Sequence, residues 1–330
     1  MLLTAFPLLL TPILTEGLTE TEAVLETPRF EFHSNELVNL HHFLYGWART
    51  TAGMRGAGVK ELAQLEALSA EEREVWTAAY EIYLPEWAGR DLLFDRQMDA
   101  ANKALRRSLD VDHPDPEFPA DLAEALALAL PIYRAHWWPR HDEGNRAWIA
   151  ALEPLLKKVG KDFSEQLAHA YGGAWQDEPL RVDVTYYGNW AGAYTTNRPN
   201  HVTITSADPE NGGVGALEVL FHEASHAEGL GSPIMDGLNA AFRGLEVRPH
   251  EDLWHAMFFY TAGELTRDLA LAHELAEEYR TYGERNMWER IPGWAGLRDA
   301  LEVSWRPFLS GEWDRAEAFA RLADELSRDS

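Results

Sequence analysis

One pentapeptide constrains this chain more than any other stretch: His222-Glu223-Ala224-Ser225-His226, at the end of an apolar run. On a helix, residues four apart share a face one turn apart, so this segment aims two imidazoles the same way and sets a carboxylate beside them. The flanks agree with a helix. Leu217, Val219, Leu220 and Phe221 lead into His222, and Gly229 follows where a helix is expected to stop. Upstream, Val202-Thr203-Ile204-Thr205 reads as a strand and the polar run 206–213 as a turn. The order is strand, turn, buried helix. The plain alternative is a helix that buries two histidines bonded within the protein.

Two histidines at this spacing suit a zinc ion. Zinc lowers the pKa of its water towards neutrality, and a neighbouring carboxylate can take the proton as that water attacks a carbonyl. In the segment 181–260 the chain resembles the zincin metallopeptidases, whose active-site helix carries this pentapeptide beside an edge strand that holds the substrate backbone. The resemblance implies His222 and His226 as ligands of one zinc ion per chain. It implies Glu223 as the general base that later returns its proton to the leaving amine, and a peptide or protein as substrate.

A catalytic zinc normally takes three protein ligands and a water. The metzincin pattern would put the third at position 232, which is Ser232, a poor ligand. Peptide deformylases pair the same pentapeptide with a cysteine, and the chain has none. The segment 245–260 reads as a second buried helix, opened by Pro249 and acidic residues. Within it His255 lies among Trp254, Phe258 and Phe259, where an imidazole needs a partner and a metal is a good one. The order of preference is His255, then Glu251, Glu264 and Glu246. Glu246 has the spacing of thermolysin-like enzymes, and Glu251 roughly that of the angiotensin-converting-enzyme type. A non-catalytic protein is the competing expectation: a structural zinc closed by Glu251 and His255 as the remaining ligands, or a metal-free helical fold.

Other residues are weaker candidates. Tyr260 and Tyr194 carry hydroxyls that an oxyanion could use. His33 and the pair His41-His42 could reach a cleft, though adjacent helical residues point about 100° apart and at most one of the pair would face it. His141-Asp142 could form a second metal site or, preferably, cap the following helix, and Trp137-Trp138 read as core or cleft wall.

With 46% apolar residues, 330 residues can bury a sizeable core in one large or two modest domains. A formal charge of −25 opposes nucleic acid and anionic membrane surfaces, and serves solubility. Lack of cysteine rules out disulfides and thiolate metal sites. The apolar start, Met1 to Leu14, has the length of a signal core but no basic residue before it and no cleavage motif after it, leaving localisation open with a slight lean to outside the cytoplasm. It is too short to span a bilayer. Helical periodicity over 35–50, 70–83, 86–108, 119–130, 145–171 and several segments after 264, with alternation only at 181–187 and 201–205, predicts a predominantly helical α+β fold. The expected organisation is an N-terminal segment (1–28), a helical region (29–175) and a zincin-like region (176–330), with a small sheet beside the active-site helix and the cleft between the two larger parts.

Overall fold

A computed structural model describes residues 22–54, 59–243, 245 and 248–328. The apolar N-terminal run and Glu246 lie outside them. Five short strands form one mixed sheet: β1 (Leu25–Glu26), β2 (Phe30–His33), β3 (Leu180–Thr185), β4 (Ala193–Thr196) and β5 (His201–Thr205), in the order β1-β2-β3-β5-β4. β2, β3 and β5 run parallel, while β1 and β4 pair antiparallel at the two edges. Helices make up most of the remainder, so the fold is α+β and predominantly helical.

Period-two patterning gives the sheet two unlike faces. Phe30, Phe32, Val182, Val184, Val202 and Ile204 point into one apolar core. Against that face pack α5 (Trp138–Tyr171) and α6 (Gly215–Ser225), where Phe163 stacks on Phe221 with ring centroids 3.9 Å apart. α7 (Pro233–Ala241), α8 (Leu253–Ala272), α9 (Trp294–Ser304), α10 (Arg306–Leu309) and α11 (Arg315–Arg328) complete this side.

The opposite face carries Asp183, His201 and Tyr194, all buried. It lies under a helical cap made of α1 (Glu36–Thr51), α2 (Ala70–Glu86), α3 (Arg96–Arg107) and α4 (Ala120–His136), which has its own core. Local chemistry starts these helices. Asn35 Oδ1 accepts from the Leu37 and Val38 N–H groups at 2.9 and 3.0 Å, and Ser69 with Glu72 forms a capping box ahead of α2.

Several sequence expectations shift. The helix expected over 86–108 is interrupted, because the chain turns at 87–95 before Asp95 caps α3. The second site helix begins at Leu253, not at Pro249, and runs on to Ala272. His141 and Asp142 lie inside α5, where His141 Nδ1 meets the Tyr133 hydroxyl and Asp142 accepts from Arg146, so they neither cap a helix nor converge on a metal. Trp137 is core. No helix among the described residues is long and apolar enough to cross a membrane.

Candidate metal centre

α6 delivers the pentapeptide with its apolar side against α5 and the sheet. His222 and Glu223 lie in the last turn, and His226 is the residue that ends the helix. The helix therefore stops three residues before Gly229. The hairpin turn between β4 and β5 grips this end: Asn197 Nδ2 donates to the His226 carbonyl at 3.2 Å, and the Glu228 N–H donates to the side chains of Asn197 and Asn200. His226 is thus fixed by backbone contacts on its C-terminal side.

α8 brings the third histidine. His222, His226 and His255 each place a ring nitrogen within 4.8 Å of the others. The His222 and His226 Nε2 atoms lie 3.3 Å apart, with ring centroids at 5.0 Å, and the His255 ring is 5.1 Å from His226 and 5.5 Å from His222. Two nitrogens on one tetrahedral zinc, each about 2.05 Å from it, are separated by about 3.3 Å. The pair on α6 already has that spacing. The third nitrogen needs to close by at most about 1.5 Å, a side-chain adjustment.

The walls are aromatic. Phe259 stacks on His222 at 3.8 Å and Trp254 on His255 at 5.0 Å, while Tyr282 stacks on the outer face of Phe259 at 5.7 Å. Glu218, one turn before His222, holds this wall by accepting the Tyr282 N–H at 2.8 Å and the Tyr279 hydroxyl.

Electrostatics keep the three imidazoles neutral, the form that ligates. Burial, then the neighbouring His226 and His255, hold His222 well below its ordinary pKa, against a backbone bond at Phe258. Burial and His255 lower His226 to about 3. Burial lowers His255 to about 4, against the pull of Asp252. Glu223 is 7% exposed, and burial raises it to about 7 against a hydrogen bond from Thr195.

The other candidates lie elsewhere. Glu251 is exposed, ahead of α8. Glu264 is nine residues beyond His255, about 180° round the helix, and its carboxylate accepts from Arg267 at 2.9 Å. Tyr260 is about 140° round from His255 and donates to Glu302. Tyr194 points into the helical cap, where its hydroxyl lies 2.7 Å from His42 Nε2. His41 meets the Tyr83 hydroxyl and His33 pairs with Glu31, both buried on the cap side of the sheet. The donors all come from α6 and α8, across the sheet from the cap.

Sequence reasoning missed Thr195, whose hydroxyl touches Glu223, and the strand that carries it. Four residues, Ala-Tyr-Thr-Thr, show no polar alternation to betray a strand. Comparison with protein-family models, curated proteins and solved structures gave no match.

Proposed function

We propose that the protein is a zinc-dependent hydrolase of peptide bonds, with His222, His226 and His255 as ligands and Glu223 as general base. The observation that carries this reading is the convergence of three neutral imidazoles from two helices, with a buried carboxylate on the residue next to the first of them. Zinc held by three neutral ligands keeps its full double charge and, when bound, would supply an acidified water and a Lewis acid for the carbonyl.

The chain's own residues supply the rest. Glu223 takes the proton of the attacking water and returns it to the departing amine nitrogen. Glu223 is buried on the residue next to the first ligand, with the Thr195 hydroxyl on its carboxylate, which places the base beside the reacting water. β4 is the sheet's edge strand beside α6. The Thr205 N–H donates to the Gly192 carbonyl at 2.8 Å, and antiparallel alternation from that bond turns the backbone groups of Ala193 and Thr195 away from β5. All four residues of β4 are buried, so an extended peptide would pair there only once this edge is uncovered.

A structural zinc would need a fourth protein ligand. Among the described residues three donors converge, which favours a centre with an open position. The test is Glu223→Gln, assayed on a quenched fluorogenic peptide library with zinc measured on the same sample. Zinc should stay at the wild-type level while cleavage falls about 100- to 10,000-fold. Undiminished cleavage by Glu223→Gln would contradict the reading.

A further inference from the structure

Building on that reading, we propose that Thr195 is the positioning residue for the general base: its side chain holds the Glu223 carboxylate while its backbone faces the edge where a substrate strand would lie. The Thr195 hydroxyl is 2.7 Å from Glu223 Oε2 and 2.8 Å from the Glu223 carbonyl oxygen. A hydroxyl has one proton for two acceptors. The carbonyl also accepts from the His226 N–H at 3.0 Å, so a Thr195 proton given to the carboxylate leaves neither oxygen without a donor.

No other hydrogen bond to the Glu223 carboxylate is made among the described residues. Burial therefore leaves this side chain dependent on one partner for its orientation, and a general base acts only when its oxygen lies within hydrogen-bonding reach of the proton it abstracts. Thr195 also fixes the distance between the α6 carboxylate and β4, since its neighbours Tyr194 and Thr196 pair with Thr203 and His201 of β5. The placement of the base and the placement of the substrate backbone would share one residue. A β-branched side chain suits this role, because a strand holds its χ1 to few rotamers.

Thr195→Val keeps the branched shape and removes the hydroxyl; Thr195→Ser keeps the hydroxyl. With the zinc-loaded protein and the same peptide library, Thr195→Val should lower kcat about 10- to 100-fold with KM and zinc content unchanged, and Thr195→Ser should stay within about threefold of wild type. A readout independent of activity uses the zinc-free chain labelled with 13C at the glutamate carboxyl carbons. The Glu223 resonance, identified by its loss in Glu223→Gln, should be displaced in Thr195→Val and not in Thr195→Ser. Equal kcat in wild type and Thr195→Val, equal losses in the two variants, or an unmoved resonance in Thr195→Val would each overturn the role of Thr195. A wild-type chain that neither holds zinc nor cleaves the library would instead overturn the hydrolase reading and with it the catalytic consequence of the contact, while the resonance would still report whether the contact exists.

Discussion

Two groups of buried histidines lie on opposite sides of one sheet, and they are treated differently by the protein around them. On the cap side each has a partner of another kind. His41 meets the Tyr83 hydroxyl, His42 the Val38 carbonyl and the Tyr194 hydroxyl, and His201 the Asp183 carboxylate at 2.6 Å. On the α6 side the histidines face one another: Nε2 of His222 faces Nε2 of His226, His222 has in addition a backbone bond at Phe258, and no hydroxyl, carboxyl or carbonyl bond to His255 is found among the described residues. Both groups are desolvated and neutral. A buried polar group without a protein partner is costly. The contrast teaches that burial alone does not mark a ligand; convergence of donors on a shared point does.

Metal content is where the two groups should differ most. His226→Ala should take bound zinc from about one per chain to none, whereas His42→Ala should leave it unchanged, by elemental analysis of both proteins. Zinc loss in both would erase the distinction.

Stability should show the reverse order. Asp183 is fully buried; burial acts to raise its pKa, but Arg181 and His201 outweigh that and hold it far below the usual carboxylate range. Asp183→Asn should cost about 3–5 kcal/mol of unfolding free energy in urea melts, since it removes one partner of a buried ionic group. His42→Ala removes the 2.7 Å partner of the Tyr194 hydroxyl, leaving Asn102 Nδ2 at 3.5 Å, and should cost about 1–3 kcal/mol. His226→Ala, measured on zinc-free protein, should cost less than either. A zinc-free His226→Ala chain that is the least stable of the three would make His226 a structural residue like those of the cap.

Acid should strain both groups, and zinc should separate them. The unfolded imidazoles take up protons near 6.5, but the folded ones only near 3 for His41, His201 and His226 and near 4 for His42 and His255. Between those values the unfolded chain binds more protons, so stability present above about 6.5 is lost as the pH falls towards 4. Glu218, Glu223 and Glu264, raised to about 7 by burial, act in the opposite sense between about 7 and 4.5, and they offset only part of the loss. Saturating zinc should hold His222, His226 and His255 unprotonated and recover part of the urea midpoint at pH 6; His226→Ala should abolish that recovery. A midpoint flat from pH 7 to 4 would contradict the burial of these histidines in the neutral form.

How far the sequence disclosed this arrangement depends on the range of each interaction. The pentapeptide is a local signal, because helical spacing alone sets His222 and His226 on one face, and it placed Glu223 with them. His255 was legible through chemistry: an imidazole among Trp254, Phe258 and Phe259 needs a partner, and the structure supplies two more histidines. The differences from expectation have more than one cause. The start of the second helix was tied to Pro249 and the acidic residues after it, yet the helix begins only after Asp252. β2 alternates as Phe30-Glu31-Phe32-His33, but the run is four residues long and its partner β3 lies in the far half of the chain, while β4, Ala-Tyr-Thr-Thr, shows no alternation. Thr195 was invisible for the same reason: a threonine on an unrecognised strand carries no sign that a carboxylate from α6 rests on it.

The most direct test is zinc per chain in the purified wild-type protein and in His255→Ala prepared identically. The account predicts about one zinc in the wild type and a loss of at least tenfold in affinity in His255→Ala. No zinc in the wild type after incubation with excess metal and removal of the unbound ion would contradict it, leaving the three histidines a packing cluster.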